Sequence, residues 1–285
     1  MAHLLFGDAH AHSNPVIGLG AERVAERFRR AGGWFMALVS LPPWHYGVKP
    51  RSLEDYRRVY DIHVAECRRA ARYLRVSCLA GFHPAEVDKL VSMGMKPEEV
   101  LELGLSVVEM AADYCRRGLL DGIGEVGRQH YKTTPERMAI AEAVMVHALE
   151  LARDVGCLVH LHLENAGVAT VATVDRLARL VGIDKRRVLF HHATVRVAGE
   201  AARRGYAATV AAKKQQLFVA FKTIGPVFMP ESDYIDDPER PCVSSCPWEL
   251  AERLGSLVEE GLVEEEWVQK VAVDNIAAFY GVEPP

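Results

Sequence analysis

Asp8-Ala9-His10-Ala11-His12 is the stretch that decides between two folds for this chain. It follows the first apolar run, residues 3–6, which reads as a strand. A doubly wound open sheet is expected to carry a glycine-rich phosphate-binding turn at that place. A carboxylate and two imidazoles at alternating positions do not suit such a cradle. They suit the rim of a closed barrel, where residues two apart on a strand share a face and functional groups collect at the C-terminal strand ends.

Working outward, seven more β-rich apolar runs follow: residues 34–40, 75–80, 120–125, 157–163, 187–191, 206–210 and 226–230. Helical patterns occupy residues 21–31, 52–73, 97–117, 135–155, 168–181, 197–204, 247–259 and 264–280. Several open as helices should, with Ser-Leu-Glu-Asp at 52–55 or Pro followed by two Glu at 97–99. Strands alternating with helices predict an α/β protein, a (β/α)8 TIM barrel forming a single domain over residues 1–285.

The 285 residues are 49% hydrophobic and 25% charged, with a formal net charge of −4. That balance excludes a bulk positive field for attracting nucleic acid, though not a local basic groove. The start lacks a basic, apolar leader and no run is long enough to span a bilayer, so a soluble cytoplasmic protein with no membrane partner is expected. Only three asparagines and four glutamines occur, a depletion of thermolabile amides that points to a thermophilic source. Among the six cysteines, Cys78 and Cys157 read as small core residues. Cys242 and Cys246 could pair or ligate, but read as two separate loop thiols.

The chemistry lies in where His, Asp and Glu fall relative to the strands. His10 and His12 follow the first, His83 the third, and Glu125 ends the fourth. His160 and His162 lie in the fifth, His191 and His192 end the sixth, and Asp233 follows the eighth. A lone His-x-His is weak evidence for a divalent metal; its recurrence with carboxylates at matching strand ends is much stronger. His45 and His130, in loops after the second and fourth strands, are candidates for substrate contact. His63 and His147 read as surface or packing residues, Asp274 as structural, and His3 as having no role.

At this point the chain resembles the TatD-like metal-dependent hydrolases of the amidohydrolase superfamily. The residues that carry the resemblance are Asp8–His12, Gly81-Phe-His-Pro84, Gly122-Ile-Gly-Glu-Val-Gly127, His162-Leu-Glu-Asn-Ala166, His191-His-Ala193, Glu231-Ser-Asp233 and the closing Asn275–Gly281. The resemblance implies two divalent metal ions, with zinc first and manganese, iron, nickel or magnesium as the other ions. His10, His12 and Asp233 would bind one, His162 and His192 the other, and Glu125 would bridge both. Asp233 would also act on the attacking water, and His83 would lie near the substrate. Asp8, His160 and His191 would stand behind the ligands, with the choices between His191 and His192 and between His160 and His162 left open.

The departures bear on substrate. Nuclease members usually carry Gly-Leu-Asp after the bridging Glu, where this chain has Gly127-Arg128-Gln129. They usually carry Arg two residues after the fifth-strand His, where this chain has Glu164. The resemblance implies a hydrolase acting on phosphodiesters, of the deoxyribonuclease type; Arg128, Lys132 and the Lys213-Lys214 pair give local basic support, although the lysine pair reads rather as a solvated turn. A small amide, lactone or ester is the alternative substrate, favoured by Glu164, the acidic balance and a possible apolar wall at residues 42–47. A non-catalytic metal-stabilised scaffold is a third reading, which Asp233 opposes.

Overall fold

The computed structural model describes residues 4–240, 242 and 244–285, so the reading of His3 as having no role lies outside the described residues. Eight parallel strands, β1 (Phe6–Ala11), β2 (Gly33–Val39), β3 (Arg75–Ala80), β4 (Gly122–Gly127), β5 (Leu158–His162), β6 (Val188–Phe190), β7 (Ala207–Ala211) and β8 (Met229–Glu231), pair in sequence order. The ring closes where the chain leaving β8 meets β1: Asp233 N donates to His10 O at 3.0 Å and His12 N to Tyr234 O at 2.7 Å. This is the (β/α)8 barrel.

All eight expected strands exist, β3 with the expected ends and the others with shifted ones. The largest shift is in β1, which begins at Phe6 and contains Asp8 and His10 rather than ending before them. Its polar residues are fully buried because that end of the barrel holds a polar cluster able to receive them. The β2 pattern shows both faces at work. Phe35, Ala37 and Val39 fill the barrel interior, while Met36 and Leu38 join the larger core beneath the helices.

The outer helices are α1 (Ala21–Arg30), α2 (Leu53–Ala70), α3 (Pro84–Ser92), α4 (Pro97–Arg116), α5 (Pro135–Val155), α6 (Val168–Val181), α7 (Val195–Arg203), α8 (Lys214–Ile224) and α9 (Pro247–Glu259). In α5, Ile140, Ala141, Val144, Met145, Ala148, Leu149 and Ala152 form one buried seam at helical spacing. Thr134 caps its start and Gly156, at φ 74°, ends it. The sequence reading lacked α3 and α8. The Lys213-Lys214 pair is therefore not a free turn: it opens α8, and Lys214 pairs with Glu260.

The closing segment also departs from expectation. Instead of one helix, α10 (Glu265–Gln269) runs into a π-helical turn, Lys270–Asp274, and then α11 (Asn275–Tyr280). Trp34 Nε1 donates to Ala272 O at 2.9 Å, holding this turn against the barrel. Val273 and Ile276 pack with Ala9, Phe35 and Leu189. Gly7 must lack a side chain here, since a Cβ would lie 2.4 Å from Ile276 Cδ1.

The cysteines correct two expectations. Cys78 is buried but bonded to Cys67 of α2, with Cα atoms 5.9 Å apart. Cys242 and Cys246 are paired rather than separate, with Cα atoms 4.9 Å apart. Among the described residues no helix is long and apolar enough to cross a membrane.

Candidate metal centre

Glu125, at the inner end of β4, is the hub. Its carboxylate is buried, and its two oxygens face different groups. Oε1 lies 2.8 Å from His10 Nε2, 3.3 Å from His12 Nε2 and 3.8 Å from His191 Nε2. Oε2 lies 2.8 Å from His162 Nδ1 and 3.0 Å from His83 Nε2. Burial alone would raise the Glu125 carboxyl pKa, but the surrounding imidazoles, His83 and His191 foremost, hold it well below the usual carboxylate range.

Backbone and side-chain partners determine which ring nitrogen faces inward. Val39 O accepts from His12 Nδ1 at 2.8 Å, so the neutral ring turns a free Nε2 lone pair towards Glu125 and Asp233. Glu231 holds His191 Nδ1 at 2.7 Å in the same manner. His83 is the reverse case. Its Nδ1 accepts from Ala85 N at 3.0 Å, so the neutral ring carries its proton on Nε2 and donates to Glu125. A ring in that state supports the carboxylate and does not offer a lone pair to a cation.

The members of the two open pairs occupy different positions. His162 contacts Glu125, whereas His160 sits deeper and touches His10. His191 stacks on His10, with ring centroids 3.5 Å apart, on the Glu125–Asp233 side. His192 lies with His162 and His130, at ring centroid distances of 4.5 Å and 5.3 Å. The His162 and His192 rings are pushed down to about 4 by burial first, so both are neutral at physiological pH. Their Nε2 atoms are buried without a hydrogen-bond partner. His10, His12 and Asp233 form one group of donors within 4.8 Å of one another, and His130, His162 and His192 form another. His192 and Asp233 both sit at positive φ, 40° and 50°, a strained backbone that side-chain-bearing residues adopt rarely and that tends to gather at functional rims.

Other residues take places that the sequence alone did not assign. Asp8 Oδ1 accepts from Ser232 N at 2.9 Å, stitching β1 to the end of β8, and burial pushes its carboxyl up to about 7. His45 is half-buried in the loop after β2, and burial above all pushes its pKa down to about 4. His63 is buried against Leu38 O, and His147 bridges Glu109 and Glu150 outside the barrel. Asp274 is exposed beside Lys270.

Arg128 does not offer a free cation to the mouth. Glu164 grips its guanidinium in bidentate fashion, at 2.9 Å and 2.8 Å, and Glu142 takes another nitrogen at 3.0 Å. Arg128 and Glu164, the two departures noted above, thus neutralise each other. Arg128→Leu should lower stability by about 1–3 kcal/mol, discounted for the partly exposed glutamates. A thermal melt would check this; an unchanged Tm would mean that the ion pair is idle.

A model of the TatD-related DNase family matches residues 7–281. The uncharacterized protein MJ1127 of Methanocaldococcus jannaschii is 29% identical over 277 residues, covering 97% of this chain and 95% of the relative. Similar solved structures include the TatD-like protein AF1765 of Archaeoglobus fulgidus (TM-score 0.67, 18% identity, 97% and 100% coverage). The phosphotriesterase homology protein of Escherichia coli, solved with phosphate in its active site, has a TM-score of 0.63 at 14% identity, covering 98% and 100%. With eight strands, a rim of histidines around one carboxylate and a family match across nearly its whole length, the chain belongs to the TatD-related DNase family, whose hydrolase fold it shares.

Proposed function

We propose that the chain is a divalent-metal-dependent phosphodiesterase of the deoxyribonuclease type, built as one domain with two cation positions sharing Glu125. The observation that carries this reading is that the two oxygens of one buried carboxylate face separate imidazole groups. His10, His12 and Asp233 would hold the first cation, His162 and His192 the second, and Glu125 both. The donors fit such a group: His162 Nε2 and His192 Nε2 are buried orphans, and neutral imidazoles suit zinc, manganese, iron or nickel better than magnesium. When bound, such cations supply Lewis acidity and bring the pKa of a water from 15.7 towards about 7.

The chain's own residues do the rest. Val39 O and Glu231 keep His12 and His191 oriented. Asp233 is 28% exposed against 5% for Glu125, so it is the carboxylate placed to meet an attacking water. It takes that water's proton as the new phosphorus–oxygen bond forms, then gives it to the leaving oxygen as the old bond breaks. His45 and His130 stand at the mouth, where they can donate to substrate oxygens, and His83 lies beside them with its proton committed to Glu125.

Asp233→Asn should lower kcat by about 10²–10⁴-fold while the fold persists. Steady-state kinetics on the zinc- or manganese-reconstituted protein would check this, and undiminished turnover would remove Asp233 from the mechanism. A second reading, hydrolysis of a compact ester, lactone or amide, is favoured by the neutralised Arg128 beside the site. A panel of single-stranded DNA, model phosphodiesters, lactones and amides separates the two, with Asp233→Ala as the blank.

A further inference from the structure

We propose that Tyr280, acting through His160, sets the tautomer of His10 and so presents the His10 Nε2 lone pair to the first cation position. The inference rests on the reading of His10 as a ligand. Tyr280 OH lies 2.7 Å from Ala9 O, which can only accept, so the single hydroxyl proton points there. His160 Nε2 lies 3.1 Å from the same hydroxyl oxygen and must therefore donate to it. The neutral His160 ring then has its lone pair on Nδ1, which sits 3.1 Å from His10 Nδ1. His10 then donates from Nδ1, and its Nε2 lone pair faces Glu125 Oε1 at 2.8 Å, a pair of acceptors that a cation held by both atoms would reconcile.

Each step depends on the one below it, and the lowest step is the closing helix. The π-helical turn at Lys270–Asp274 delivers α11 to the barrel, where the Tyr280 ring packs on Phe35 with centroids 4.6 Å apart. His10 and His160 are both fully buried, so no bulk water replaces a lost proton partner at low cost. His12 and His191 achieve the same end with a carbonyl and a carboxylate. His10 alone of the three relies on a hydroxyl brought from the far end of the chain. Tyr280 and His160 are positioning residues: neither faces the mouth.

The test uses the whole protein and zinc alone, titrated against a chromophoric chelator, with Tyr280→Phe and His10→Gln compared to the parent. Tyr280→Phe keeps the ring and removes only the hydroxyl. We expect it to weaken one zinc roughly 10–100-fold, the effect usual for a partner behind a metal-bound histidine, and to leave the other unchanged. Histidine nitrogen NMR should show the His160 ring protonated on Nε2 in the parent and mixed between its two tautomers in the variant, a change that loss of packing alone would not produce. If His10→Gln loses one zinc and Tyr280→Phe binds as the parent does, the relay is wrong while the ligand reading stands. If His10→Gln retains both, the ligand reading fails and the relay with it.

Discussion

Glu125→Ala should empty both cation positions together and reduce hydrolysis on the order of 10⁴-fold or more. The reason is geometric. Removal of any one histidine takes a donor from one group, whereas Glu125 supplies an oxygen to each. Without it, His10 and His12 on one side and His162 on the other face each other across a buried gap with no anion between them. Cations placed there would meet neutral imidazoles and the partly exposed Asp233 alone, too little negative charge to hold two dipositive ions close together. Elemental analysis after dialysis should read near zero against two for the parent, with circular dichroism unchanged. Retention of one full equivalent would mean that the positions are independent and that Glu125 serves only one.

Asp236→Ala should cost about 3 kcal/mol of stability, the largest single-site loss expected outside the centre. Asp236 is buried, at φ 57°, and gathers the backbone of the loop that follows β1. Its carboxylate accepts from Asn14 N at 2.8 Å, Leu19 N at 2.7 Å and Gly20 N at 2.9 Å, and from Tyr234 OH at 3.0 Å. Asn14 is buried, so its N–H would be orphaned outright, while water can reach Leu19. The freed loop adjoins His12, so zinc affinity at the first position should fall as well. Urea unfolding measures the first effect and chelator competition the second. A loss below about 1 kcal/mol would show that water substitutes for the carboxylate throughout.

The rim was legible in the sequence because strand geometry is local. A period of two places His10 and His12, or His160 and His162, on one face whatever the rest of the chain does. Helix starts were equally legible: α5 (Pro135–Val155), α6 (Val168–Val181) and α9 (Pro247–Glu259) fall where capping residues and periodicity put them. The helix α8 was less so, because its Lys-Lys-Gln-Gln opening looks like solvated turn and its buried contacts are few, Leu217, Ala220 and Phe221. The break in the closing segment was hidden for a related reason. Val271, Ala272, Val273 and Ile276 keep helical spacing, and it is their packing against the barrel that selects the π-helical turn.

The chain's order of residues determined by itself that this is a barrel and that histidines and carboxylates meet at one rim, since both follow from alternation and spacing along each strand. Only the tertiary structure decided which nitrogen faces which oxygen, that Arg128 is neutralised by Glu164, and that Tyr280 lies beneath His160. Those outcomes depend on contacts between residues 36, 115 or 120 positions apart. Local periodicity carries no information about such contacts; they form when packing brings distant polar atoms into a space that excludes water, where each must find a partner.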